Sequence, residues 1–106
     1  MEDYLQIYTT TDRIDIAEAI SNRLVEERLA ACVQVLGPIT STYWWQGKIE
    51  TSQEWLCIIK SKKGLYKQVE DTIKSIHHYD VPEIIAVPIA MGSQDYLNWL
   101  KKEIRH

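Results

Sequence analysis

His77, His78, Asp80 and Glu83 fall within seven residues of one another, and imidazole and carboxylate groups are donors that copper, zinc or nickel accept. The spacing matches no closed structural zinc site built from paired Cys-x-x-Cys motifs. The same residues have a second reading: one histidine caps a helix C-terminus, where the helix dipole favours it, and the other is solvated. The candidate metal ligands are therefore His77, His78 and Glu83, and the candidate ions are copper or zinc. No obligatory cofactor is expected.

Other chemistries find less support. Cys32 and Cys57 both sit in apolar runs, so they read as buried thiols in a reducing compartment, and the cytoplasm is the expected location. There is no Gly-x-Ser-x-Gly elbow, and the 4 glycines form neither a Walker loop nor a dinucleotide fingerprint. Glu26 and Glu27 adjoin Arg28 on a helix, as a solvated face does. A non-enzymatic protein is the expectation. Polar residues on the central strands offer a binding alternative: Lys48, Glu50, Glu54 and Lys60, together with Tyr79, could converge on a cleft and hold a small ligand or ion. Inter-subunit ion pairing that fixes register accounts for them equally well.

Charge and composition exclude further classes. The net charge is −3, with 12 basic and 15 acidic residues, and the isoelectric point is about 5.6, whereas nucleic-acid binding shows a basic stripe. The chain begins acidic, unlike a signal peptide. Its apolar runs, such as Ile84-Ile85-Ala86-Val87, fall far short of a membrane span. With 106 residues, 45% of them hydrophobic, the chain is expected to form one domain over 1–106.

The elements that must carry these residues follow from periodicity. Tyr4 to Thr9 alternates and reads as a strand. Thr11-Asp12 offers an N-cap, and Ile16, Ile20 and Leu24 mark one face of a helix ending near Arg28. Ala31 to Leu36 is a strand interrupted at Gly37-Pro38 by a bend or bulge, and Ile39 to Trp45 resumes it. Gln46-Gly47-Lys48 is a tight turn, and Ile49 to Lys60 is the return strand. A helix with the stripe Leu65, Val69, Ile73 and Ile76 follows, with Pro82 marking its end. A last strand runs from Glu83 to Ile89, an edge strand or one ended by Pro88, and Ser93 caps a final helix with Tyr96, Leu97, Leu100 and Ile104 inward.

The order βαββαβ followed by an extra C-terminal helix predicts an α+β, ferredoxin-like sandwich with two helices on one face of the sheet. The central hairpin is apolar on both faces. Trp55, Cys57 and Ile59 lie on one side, and Leu56 and Ile58 on the other, although one chain supplies helices for a single face. Its aromatic residues therefore predict an oligomer interface at Tyr43, Trp44, Trp45, Ile49 and Trp55.

Ala30-Ala31-Cys32-Val33, Ser41-Thr42-Tyr43-Trp44-Trp45-Gln46-Gly47-Lys48-Ile49-Glu50, His77-His78-Tyr79-Asp80-Val81-Pro82-Glu83-Ile84-Ile85 and Tyr96-Leu97-Asn98-Trp99-Leu100 together resemble the CutA divalent-cation-tolerance proteins over essentially the whole chain. The resemblance implies a ferredoxin-like protomer in a tight homotrimer similar in shape to the PII signalling proteins, with long hairpins reaching across to neighbouring subunits. It also implies a role in tolerance to divalent metals, notably copper, and metal binding; the PII-like comparison further suggests a sensor or scaffold with an inter-subunit cleft. Family members with a proposed copper site carry a first-strand Cys and a His-His-Pro-Tyr run. Here Tyr8 stands at the Cys position, Ile76 at the first His and His78 at the Pro.

Overall fold

The computed structural model describes residues 3–106. Four strands form one antiparallel sheet in the order β2-β3-β1-β4. The strands are β1 (Tyr4–Thr11), β2 (Cys32–Trp45), β3 (Lys48–Lys62) and β4 (Ile84–Pro88); the helices are α1 (Ile14–Glu26), α2 (Tyr66–Ile76) and α3 (Gln94–Glu103). The arrangement is the expected ferredoxin-like one, with the third helix appended.

Strand alternation decides what the helices cover. Ile7, Thr9 and Thr11 of β1 and Cys57, Ile59 and Ser61 of β3 share one face and are fully buried. Onto that face pack Ala17, Ile20 and Leu24 of α1, Val69 and Ile73 of α2, and Leu100 of α3. Burying large aliphatic side chains such as Ile20, Ile59 and Ile73 contributes about 1.5–3 kcal/mol each. Arg28, just past the C-cap of α1 and in the left-handed region at φ 58°, pairs through Nη1 with Glu103 Oε2 at 3.0 Å. The Arg105 guanidinium donates to the Glu27 carbonyl, so α3 is tied to the end of α1.

Several boundaries depart from expectation. β1 runs on through Thr11, because Thr10 and Thr11 still pair with Leu56 and Trp55. Arg13, not Thr11-Asp12, is the N-cap of α1, and no side chain caps it. The helix stops at Glu26, two residues before Arg28. Gly37-Pro38, a cis peptide, makes the expected bulge rather than a break: the pairing with β3 shifts register between Leu36 and Ile39, and β2 continues as one strand. Gln46 and Gly47, both at positive φ, make the two-residue turn that a right-handed hairpin twist favours. α2 ends at Ile76, well before Pro82, and β4 is confined to Ile84–Pro88 on the sheet edge. Ser93 caps α3 as expected, its Oγ accepting from the Tyr96 amide at 3.3 Å. Tyr96 itself stays exposed while Leu100 and Ile104 enter the core.

Candidate functional site

The chain leaves α2 through His77, whose extended backbone (φ −67°, ψ 141°) turns it away from the helix axis. That turn sets the imidazole against the end of β1. Nε2 lies 2.7 Å from the Thr10 carbonyl oxygen, which can only accept, so Nε2 carries the proton and donates. Nδ1 accepts from the Tyr79 amide at 3.1 Å. Both ring nitrogens of this neutral, 9% exposed side chain are thus used. His77 is a clasp that holds residues 77–83 across the strand end. The His78 ring stacks beside it nearer the surface, with Nε2 2.8 Å from Asp12 Oδ1. The rings of His77, His78 and Tyr79 pack on one another at centroid separations of 4.6–5.5 Å.

The clasp positions Tyr79. Its hydroxyl donates to Glu54 Oε2 at 2.8 Å, and Glu54 is only 6% exposed. Burial, then the hydrogen bond to the Glu54 carboxylate, pushes the Tyr79 phenol well above its ordinary range, so it remains a neutral donor. Around this pair lies a groove of about 730 Å³. Its hairpin wall holds Tyr43, Trp44 and Trp45, with Ser41, Thr42 and Ser52; its loop wall holds Asp80, Val81 and Glu83; Thr10 and Asp12 close one end. Among the described residues four carboxylates line the groove, and no lysine or arginine does.

Residues 5–103 match the family model described as "CutA1 divalent ion tolerance protein". The chain belongs to this family. It is 40% identical over 102 residues to the divalent-cation tolerance protein CutA of Thermus thermophilus, covering 96% of this chain and 97% of that one. It is also 40% identical over 99 residues to the chloroplastic CutA 1 protein of rice, covering 93% of this chain; there the chain spans 56% of the relative's length. The crystal structure of CutA1 from Oryza sativa superposes with a TM-score of 0.95 at 38% identity, covering 99% of this chain and 96% of that one.

In this CutA-family chain the expected ligand set does not assemble. His77 has no nitrogen free, His78 faces Asp12, and Glu83 lies exposed on the groove's loop wall. Among the described residues no three His, Cys, Asp or Glu side chains come together as a metal site. Tyr8, at the position of the family's Cys, pairs with Ile58 and Ile85, and its hydroxyl accepts from Gln6 Nε2 at 3.0 Å. Ile76 packs against the core. Cys57 donates to the Ala17 carbonyl, and burial pushes its thiol up to about 11, so it is inert as a nucleophile. Cys32 is half-buried.

Of the five expected cleft residues, only Glu54 and Tyr79 meet. Lys48 and Glu50 sit at the far tip of the hairpin. Lys60 lies towards the other end of β3, donating to Gln34 Oε1 at 2.8 Å. The expected interface residues divide as well. Tyr43, Trp44, Trp45 and Ile49 are exposed, but Trp55 packs against its own chain's core. Its ring lies so close to Gly37 that a Cβ there would fall 2.5 Å from Cδ1. Sequence reasoning missed Thr10, Asp12, Ser41 and Ser52. They are 24 or more residues from the histidine loop in the chain, and no local pattern links them to it.

Proposed function

We propose that this protein serves divalent-cation tolerance as a non-enzymatic homotrimer in the cytoplasm, with copper or zinc as the ion it meets. Family membership supports the tolerance role. The observation that carries the assembly is a sheet with apolar side chains on the face that no helix covers. Tyr8, Leu56 and Ile58 are half-buried there, and Leu36 and Ile85 are 46% and 51% exposed. Next to them the outer hairpin leaves Trp44 72% and Ile49 64% exposed. Contiguous apolar surface of this kind marks an interface, and a PII-like trimer closed by the long hairpins buries it. The free thiols Cys32 and Cys57 support the reducing compartment.

The metal arm of this reading falls on the solvent-reachable donors His78 and Glu83, because His77 is committed to the fold. Two donors of this kind give weak binding in one chain; tight binding requires more from a neighbouring copy. The groove supports a second reading, a trimeric sensor or scaffold whose ligand lies in an inter-subunit cleft. Titration with copper and zinc, with solution mass measured by light scattering in the same samples, separates them. The first reading expects a trimer and saturable binding that Glu83→Ala weakens. A monomer overturns the assembly, and a trimer without saturable metal binding favours the sensor.

A further inference from the structure

His77 and His78 are neighbours in the chain with different duties. His77 spends both ring nitrogens on the backbone. His78 spends Nε2 on one carboxylate, Asp12 Oδ1 at 2.8 Å, and the two side chains remain 38% and 47% exposed. Its Nδ1 meets no partner among the described residues. An exposed pair of this kind adds little to a fold, so neither side chain has a structural duty that competes with a ligand. Their placement is nevertheless firm. Thr10 lies two residues before Asp12 and His77 one before His78, and the 2.7 Å contact between Thr10 and His77 fixes the two backbones that carry the pair. The His78 ring also packs against His77 and Tyr79. Arg13, beside Asp12, does not neutralise it, because its guanidinium is engaged by Asp15 at 2.6 and 3.0 Å. Asp80 and Glu83 line the groove that Asp12 closes and add negative charge.

The separation of the pair decides what it can hold. Two metal bonds of about 2.0 Å at right angles place their ligand atoms about 2.8 Å apart, as in the square-planar and tetragonal sites of copper(II), whereas a tetrahedral ion such as zinc spreads them to about 3.3 Å. The imidazole proton can sit on Nδ1, which leaves the Nε2 lone pair to an ion. We propose that Asp12 Oδ1 and His78 Nε2 are the cation ligands of this chain and take copper(II) ahead of zinc. The inference rests on the metal arm of the proposed function and names the partner of His78 as Asp12 rather than Glu83. His78 stands where the family pattern has Pro, so the pair belongs to this chain and not to that pattern. Among the described residues no third His, Cys, Asp or Glu joins it; water completes the coordination. His77 is a positioning residue, since it holds the two backbones at this spacing.

Calorimetric titration of the whole protein with copper(II) and with zinc tests this, together with electron paramagnetic resonance of the copper samples. Copper is expected to saturate at one per chain, with hyperfine splitting from a single imidazole nitrogen, and to bind at least about tenfold more tightly than zinc. Asp12→Asn keeps an acceptor for His78 and is expected to weaken copper at least about tenfold. His78→Gln is expected to weaken it as much and to remove the nitrogen splitting. Glu83→Ala is expected to weaken it less than either, through lost charge alone. Circular dichroism checks each fold, and Asp12→Ser replaces Asp12→Asn should that variant not fold. Copper bound by the folded Asp12 variant as tightly as by the parent overturns the inference and leaves the metal reading standing, as does a larger loss in Glu83→Ala than in the Asp12 variant. Zinc bound as tightly as copper overturns the choice of ion. A parent that neither metal saturates overturns the inference and the metal reading together.

Discussion

The long hairpin is one pair of strands with two physical environments, divided at the register shift between Leu36 and Ile39. On the inner side, Cys57, Ile59 and Ser61 are buried under helices and Ile7 pairs with Ile59. On the outer side, from Ile39 to Glu54, β2 and β3 pair only with each other, and no side chain but Glu54 is buried. The backbone ladder is the same in both halves, so hydrogen bonds do not distinguish them. What differs is cover. An isolated two-stranded ribbon is marginal in water, so the outer half extends from the fold that the inner half secures, and its apolar residues serve contacts beyond that fold.

That contrast breaks first where the inner half is cut. Ile59→Ala removes a fully buried side chain at the centre of the sheet and is expected to cost about 2–5 kcal/mol, read from urea unfolding. Tyr79→Phe tests the link between the halves. It leaves Glu54 buried without its donor, an expected loss of about 1.5–3 kcal/mol. The same variant has a pH signature. The folded phenol titrates above its unfolded value near 10, so its contribution is complete below that value and disappears as pH rises through the folded one. Ultraviolet titration of the tyrosines should show a late step in the parent that is absent from Tyr79→Phe.

The junction itself is probed by Gly37→Ala. The new methyl group meets the Trp55 ring, and the expected cost is about 1–3 kcal/mol, with Trp55→Leu in the same chain recovering part of it. The smallest effect on the chain's own fold belongs to Trp44→Ala with Ile49→Ala. These exposed residues are expected to contribute within about 0.5 kcal/mol each to the protomer. Under the proposed assembly their loss lowers the solution mass on dilution. A variant of unchanged mass at every concentration would place the interface elsewhere.

Much of this molecule is legible in its residues. Period-two alternation at Ile7 and Thr9 and the stripes Ile16-Ile20-Leu24 and Leu65-Val69-Ile73 locate strands and helices, because a side chain's face depends on local geometry. Their order implies the ferredoxin-like topology, and Pro88 sits where a strand without a donor must, on the edge. Long-range arrangement decided the rest. Nothing near His77 says that both its nitrogens meet backbone groups, one of them at Thr10 far along the chain, so a spacing that suits a metal became a structural clasp. Nothing near Trp55 says that Gly37 opens room for its ring. Glu54 looked like one polar residue among several on a hairpin; only the fold removed it from water and faced it with Tyr79 and three further carboxylates. Sequence determines which face of an element a side chain takes, since that depends on the next few residues. Tertiary structure alone determines what stands opposite, since partners distant in the chain meet only when the sheet has formed.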